Sequence, residues 1–264
     1  MINRLLITGA AGKIGSSLRA SLNTFYPVIR LSDIVPLTQE RPNEEIDQTD
    51  LADFDAVQKM VEGVDAIVHL GGIGGVGREK EWRAVVDCNI TGCFNVFEAA
   101  RLAGVKRLVY TSSNHAVGFY PRTEQLDHTT YPRPDTRYGV SKVVGEALSS
   151  LYSFKHGLGV LCIRVGNFNP QPLVERHLSI WVSPRDLAQL VRIGLEHPDI
   201  LFEVVYGVSG NTRSWWDNSN AHRLGYQPQD NAETYAPALA DAPAAAKDDP
   251  VAELYQGGRH CSQN

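Results

Sequence analysis

Gly9-Ala10-Ala11-Gly12-Lys13-Ile14-Gly15 lies between a short apolar run, Leu5-Leu6-Ile7-Thr8, and a stretch of helix formers that ends near Leu22. Glycines at this spacing permit a tight turn, let backbone approach a pyrophosphate, and let the helix pack on the strand. The helix start then faces an anion with unpaired N–H groups. The next apolar run, Val28 to Ser32, ends at Asp33, eighteen positions after Gly15. A carboxylate there accepts ribose hydroxyls and repels a 2′-phosphate, so the spacing predicts NAD over NADP. Arg30 stands close enough in sequence to leave NADP open. A glycine turn alone is a common surface feature; its strand, its helix and its acidic residue give this one meaning.

Working outward, the chain alternates short apolar runs with longer amphipathic ones. Strands are expected at Arg4–Thr8, Val28–Ser32, Glu44–Asp47, Ala66–Leu70, Leu108–Ser112 and Val160–Val165. Helices are expected from the glycine turn to Leu22, over Asp53–Val61, over Trp82–Ala103 closed by Gly104, and over Tyr138–His156 closed by Gly157. Strand and helix in this alternation predict a parallel sheet covered by helices on both faces. After Asn167 the rhythm weakens, with Pro170, Pro172 and Pro184 interrupting it and one more strand offered by Phe202–Tyr206. The reading is a nucleotide-binding body, residues 1–165, and a smaller region, residues 166–264, that shapes a substrate pocket, the two forming one unit. The Ala/Pro/Asp-rich stretch from Ala236 to Pro250 reads as surface.

Composition sets bounds. The chain has 264 residues, 43% apolar and 21% charged, with a net charge of −5. That apolar share suits a packed core and excludes a disordered chain. With no basic excess, nucleic acid is an unfavoured partner. No apolar run approaches the ~20 residues a membrane helix needs. The N-terminal apolar stretch is too short for a signal peptide. Cys88, Cys93, Cys162 and Cys261 form no CxxC pair, and no histidine cluster offers metal-ligand spacing. Reduced thiols in a cytoplasmic protein follow, with no metal.

Tyr138-Gly139-Val140-Ser141-Lys142 places Tyr and Lys four apart, on one helical face. A tyrosine, with a pKa of about 10, is a poor base at neutral pH. A neighbouring ammonium favours its phenolate. Such a pair is ordinarily a surface feature; behind a dinucleotide turn it becomes a candidate base and its partner. One strand earlier stands Tyr110-Thr111-Ser112-Ser113-Asn114-His115, at a strand's carboxyl end, where open parallel sheets bind ligands. A hydroxyl there can hold a substrate oxygen; equally, such residues cap a strand. His69 reads as structural, Cys88 and Cys93 as core, and the Glu44-Glu45 and Asp248-Asp249 pairs as solvated surface.

These elements together resemble the extended short-chain dehydrogenase/reductases, on the GxxGxxG of Gly9, Gly12 and Gly15 and the YxxxK of Tyr138 and Lys142. More closely, the chain resembles the uronate dehydrogenase family. Shared stretches are Leu5–Gly12, His69-Leu70-Gly71-Gly72-Ile73, Ser112–His115, Tyr138–Lys142, Trp215-Trp216-Asp217-Asn218 and Tyr255-Gln256-Gly257-Gly258. The double Trp without this context reads as packing. The resemblance implies a Rossmann-type doubly wound parallel sheet with a small C-terminal substrate-binding region. It also implies NAD-dependent oxidation of C1 of a cyclic hexuronate, such as glucuronate or galacturonate, to its lactone.

By position, it makes Tyr138 the general base, Lys142 its partner and a ribose ligand, and Ser113 the hydroxyl that orients the substrate. Asn114 and His115 would touch sugar hydroxyls, and Arg176 would meet the carboxylate through a planar fork. Gly9, Gly12, Lys13, Ile14, Gly15, Asp33, Ile34, Asp50, Leu51, Leu70, Gly71, Gly72 and Asn89 would line the cofactor. A homo-oligomer, dimer or higher, is implied through the helices near 82–103 and 138–156.

Two departures fall on the substrate side. Gly74 and Asn167 stand where the family carries serines, and Gly75–Lys80 is longer and more basic than the family norm. Another anionic sugar, such as 6-sulfoquinovose, is therefore an alternative, with added donors from Asn167 or Arg78. A sugar-nucleotide epimerase or dehydratase is a second alternative, though the region after residue 165 is small for a nucleotide diphosphate. A non-catalytic NAD sensor is a third, which has no need of Tyr138, Lys142 and Ser113.

Overall fold

The structure is a computed structural model that describes residues 1–74, 81–240 and 249–262. In chain order it runs β1 (Arg4–Thr8), α1 (Lys13–Leu22), β2 (Val28–Asp33), β3 (Glu44–Gln48), α2 (Phe54–Val61) and β4 (Ala66–His69). Then come α3 (Trp82–Val85), a π-helical turn (Val86–Thr91), α4 (Gly92–Leu102), β5 (Arg107–Ser113) and α5 (Arg137–His156). The rest is β6 (Gly159–Val165), β7 (Asn167–Phe168), α6 (His177–Ile180), β8 (Trp181–Val182), α7 (Pro184–Glu196) and β9 (Phe202–Gly207). Short helices at Ser219–Arg223, Ala236–Ala240 and Pro250–Leu254 follow.

Seven strands form one sheet in the order β3-β2-β1-β4-β5-β6-β9. The β1–β2, β1–β4, β2–β3 and β4–β5 pairings are parallel. β9 also runs parallel to β6, since Val160 and Gly166 donate to the carbonyls of Leu201 and Gly207 in step. The order reverses direction at β1 and β4, the switch point of a doubly wound sheet. β4 is buried along its whole length, as a strand covered on both faces must be.

The local causes are readable. Asp53 caps α2 by accepting the Ala56 N–H at 3.1 Å. Gly104 and Gly157 close α4 and α5 with φ of +74° and +70°, where side-chain-bearing residues are strained. The six expected strands and the added one at 202–207 are all present. The region after Asn167 is more regular than expected, because Pro184 opens a helix instead of breaking one. Proline suits a first helical turn, and Ser183 Oγ accepts the Asp186 N–H at 3.2 Å. Leu187, Leu190, Val191 and Leu195 then bury one face of α7.

The described chain divides into two compact units. One comprises Met1–Thr111, Val144–Cys162 and Gly194–Glu203; the other comprises Ser112–Val143, Ile163–Ile193 and Val204–Asn264. Among the described residues no helix is long and apolar enough to cross a membrane. All four cysteines are free thiols, with Cys93 buried and Cys88 half-buried. His69 is buried, its Nδ1 2.8 Å from Thr8 Oγ1.

Candidate active site

In the first unit the glycine turn is built by crowding. A Cβ on Gly15 would overlap the Gly9 carbonyl, and one on Gly9 would stand 2.8 Å from Gly71 N. Gly9 also has φ +69°. No residue larger than glycine fits either place without shifting backbone. Gly12 caps α1 with no side-chain acceptor, and no acidic residue occupies the first turn. The helix therefore offers its N–H groups and its positive pole to an anion. Lys13 is exposed beside that terminus and Ile14 half-buried.

Asp33 ends β2 and is tied to the same turn, Oδ2 accepting the Ala11 N–H at 2.9 Å and Oδ1 the Val35 N–H at 3.3 Å. A carboxylate has lone pairs left over for a ribose diol. Ile34 is exposed next to it. Arg30 points elsewhere. Its guanidinium donates to Glu45 at 2.8 Å and to the carbonyls of Met60 and Glu62 at 2.7 and 3.0 Å. These three acceptors hold it away from any 2′-phosphate role, which removes the ground for keeping NADP open.

Behind β4, Leu51 is buried and packs on Gly71, where a Cβ would stand 2.5 Å from Leu51 Cδ1. Asp50 makes a local turn with the Ala52 N–H at 2.9 Å. Leu70 donates to the Thr8 carbonyl, and Gly71 N–H to Thr8 Oγ1 at 3.2 Å. Asn89 lies in the π-helical turn, a distortion common at functional sites. Its amide grips Ile73 from both ends, at 2.7 and 3.0 Å, and sits against Gly72. This arrangement shapes the loop after β4. Gly74 is exposed, and a Cβ on it would meet nothing within 4 Å. The basic loop that follows, Arg78 included, lies outside the described residues.

The second unit gathers the other candidates. Ser113, at the end of β5, is buried and accepts the His115 N–H at 3.2 Å, which leaves its own hydrogen to donate. On α5, Lys142 is buried, its Nζ 5.4 Å from the centroid of the Tyr138 ring. Tyr138 meets the His115 ring edge-on at 6.1 Å. Gly139 permits this approach, since a Cβ there would overlap the His115 carbonyl. His115 Nδ1 is 2.7 Å from the buried carboxylate of Asp135.

Arg176 donates to the Gln256 carbonyl and lies 5.8 Å from the Trp215 ring centroid. Among the described residues no carboxylate pairs with it, and its Nε has no partner. Burial, then the neighbouring Arg122 cation, pull its pKa down to about 10. The buried Asn114 Nδ2 and His260 Nδ1 are likewise without partners. Three orphaned donors or acceptors in one unit, on or beside predicted substrate residues, are what a polar ligand would satisfy. Asn167 accepts from Asn169 through Oδ1, leaving its NH2 side as a donor.

Sequence reasoning gives no role to Asp135 or His260, and takes Gln256 only as part of a shared stretch and Cys261 only as a reduced thiol. The segment from Asp249 onward is built into this unit, Gln256 and Gly257 donating to the carbonyls of Tyr120 and Gly118 at 2.9 and 2.8 Å. His260 stacks edge-on against His115 at 4.6 Å. Burial leads in bringing its pKa down to about 4. The two tryptophans divide the work. Trp216 is core, stacked on Tyr206 at 4.7 Å with its N–H on Gln256 Oε1 at 2.8 Å. Trp215 gives its face to Arg176 and to Arg122.

Comparison with known proteins closes the question of kinship. The family model "NAD dependent epimerase/dehydratase family" matches residues 5–200. The uronate dehydrogenase of Pseudomonas putida is 47% identical over 257 residues, covering 97% of this chain and 94% of that protein. The chain belongs to the uronate dehydrogenase family. The family's solved structures agree. Glucuronic acid dehydrogenase from Chromohalobacter salexigens superposes with a TM-score of 0.95 at 43% identity, covering 100% of this chain and 98% of that one. A mutant uronate dehydrogenase from Agrobacterium tumefaciens complexed with NAD gives 0.94 at 41%, covering 99% and 98%.

Proposed function

We propose that the chain oxidises C1 of a closed-ring hexuronate with NAD and releases the lactone. The observation that carries the acidic substrate is Arg176: a desolvated guanidinium on an indole face, with no carboxylate of its own among the described residues. A planar fork recognises a carboxylate through paired, charge-assisted bonds. The glycine turn, the uncapped start of α1 and Asp33 suit NAD. When bound, NAD accepts the hydride that leaves C1.

The chain's residues do the remainder. Tyr138 Oη takes the proton of the anomeric hydroxyl. The Lys142 ammonium stabilises the negative charge this requires. Ser113 donates its hydrogen to the same sugar oxygen, its lone pair being engaged by the His115 N–H. Asn114 and His115 hold ring hydroxyls. Because the ring is closed when C1 is oxidised, the product is a lactone.

A sulfonate in place of the C6 carboxylate is the second reading. It is favoured by Asn167, whose free side is a donor, where a third acceptor oxygen needs one. A homo-oligomer, dimer or higher, formed through α4 and α5 is supported by apolar residues left exposed on α4, Phe94 and Leu102, and on α5, Leu151 and Phe154. Four free thiols suit a reducing, cytoplasmic setting.

The test is NADH appearance with glucuronate, galacturonate, sulfoquinovose and neutral hexoses. The proposal expects turnover of the uronates and none of the neutral sugars. Turnover of neutral hexoses at matching efficiency overturns it.

A further inference from the structure

We infer that Asp135 is a positioning residue, which fixes His115 with Nδ1 protonated and Nε2 bare so that His115 accepts a hydrogen bond from a substrate hydroxyl. The inference deepens the proposed function and rests on its placing of His115 against the sugar.

The geometry is specific. Asp135 Oδ2 stands 2.7 Å from His115 Nδ1, and its side chain is fully buried. A carboxylate only accepts, so the hydrogen between the two belongs to Nδ1. In a neutral imidazole the other nitrogen then carries a lone pair and no hydrogen. Free imidazole side chains in water favour the opposite arrangement, so a partner must enforce this one.

Asp135 has little room to release its grip. Thr136 Oγ1 donates to its Oδ1 at 3.1 Å, and the Cys261 thiol lies 4.0 Å from Oδ2. A Cβ on either Gly118 or Gly257 would overlap Oδ2, so two glycine backbones close round the carboxylate. They are joined by the Gly257 N–H on the Gly118 carbonyl at 2.8 Å. The groups facing His115 are the Tyr138 ring, the His260 ring and Asp135. Among the described residues none of these hydrogen-bonds Nε2. The sequence places Asp135 three residues before Tyr138, so the same loop that starts α5 sets the histidine that the tyrosine's ring touches.

The consequence is a demand on the substrate. A hydroxyl can donate to a bare nitrogen; fluorine can accept but not donate. At the sugar position that meets His115, replacing hydroxyl by fluorine should lose as much affinity as removing it.

The experiment reads the imidazole nitrogens by 15N NMR of the full-length protein near pH 8. The expected result is a His115 Nδ1 carrying hydrogen and a bare Nε2. In Asp135→Ala the hydrogen should move to Nε2, and KM for the uronate should rise about tenfold or more, with KM for NAD unchanged. Asp135→Asn keeps the shape and an acceptor oxygen, and should recover part of that loss. Among glucuronates fluorinated singly at C2, C3 and C4, one should match its deoxy counterpart. A wild-type His115 with hydrogen on Nε2, as the other tautomer or as imidazolium, overturns the inference even if neither variant folds. So does an Asp135→Ala protein with unchanged KM. Absence of turnover with every acidic sugar sinks the proposed function instead, and the wild-type spectrum still decides the role of Asp135.

Discussion

Arg176 rests on the face of Trp215, 5.8 Å from its centroid, and gives one N–H to the Gln256 carbonyl, while among the described residues its Nε has no partner. A half-buried cation held this way is costly to the protein alone, a cost offset when an anion binds. Arg176→Lys keeps the charge and loses the fork, so KM for the uronate should rise about 10- to 100-fold, with KM for NAD unchanged.

The same residue predicts a pH limb. Burial and Arg122 lower the guanidinium to about 10 in the free protein. Below that pH the group is charged and binds a carboxylate; as pH rises through it, the cation and the affinity are lost. The apparent affinity for the uronate should therefore fall on approaching about pH 10, later in the bound complex, because the anion stabilises the cation. A flat profile of 1/KM across that range, or the same limb in the uncharged Arg176→Gln, contradicts this role.

Asp33 and Arg30 sit three residues apart and do different things. Asp33 stays at the glycine turn, while Arg30 is engaged by Glu45, Met60 and Glu62. Asp33→Ala should weaken NAD about tenfold and narrow the gap to NADP. Arg30→Ala should leave the NAD/NADP ratio of kcat/KM within about twofold. Selective loss of NADP turnover in Arg30→Ala shows that the arginine is freed to serve the cofactor.

Glu44 gives a stability prediction. Against its reading as solvated surface, it is buried in β3, bonded to Arg19 at 2.6 and 2.9 Å, and accepts the Glu40 and Arg41 N–H groups. The Arg19 hydrogen bond leads in lowering its pKa from 4.5 to about 2. A lowered carboxylate stabilises the fold above its unfolded value, and that contribution is lost as pH falls from about 4.5 to about 2. Glu44→Gln leaves Arg19 only the exposed Glu40, 3.2 Å away, as a charge partner and should cost about 2 kcal/mol at neutral pH. Urea midpoints should depend less on pH in the variant over that window; an identical slope rules the pair out as the cause.

What the sequence discloses follows from physics of different range. The glycine turn, Asp33 and the strand-helix alternation rest on local rules, and each strand and helix expected from Arg4 to Leu70 is found within a residue of its expected bounds. Tyr138 and Lys142 share a helix, so their spacing alone brings them together. Asp135 and His260 were invisible for the opposite reason. Asp135 sits in a Pro- and Arg-rich loop where an acid before a helix reads as a cap, and Thr136 in fact does the capping, accepting the Gly139 N–H at 2.9 Å. His260 reaches His115 from far along the chain, by a contact no periodicity encodes. The helix at Pro184–Glu196 was legible and passed over, because proline signals a stop only where a helix has already begun.

The central claim is that Tyr138 removes the proton from C1–OH. The most direct measurement is NADH formation from glucuronate by Tyr138→Phe, with NAD affinity measured on the same protein. The account predicts that kcat falls by about a thousandfold, within the range of a lost general base, while NAD binds within about twofold of the native protein. Turnover within tenfold of the native rate, with binding intact, contradicts it.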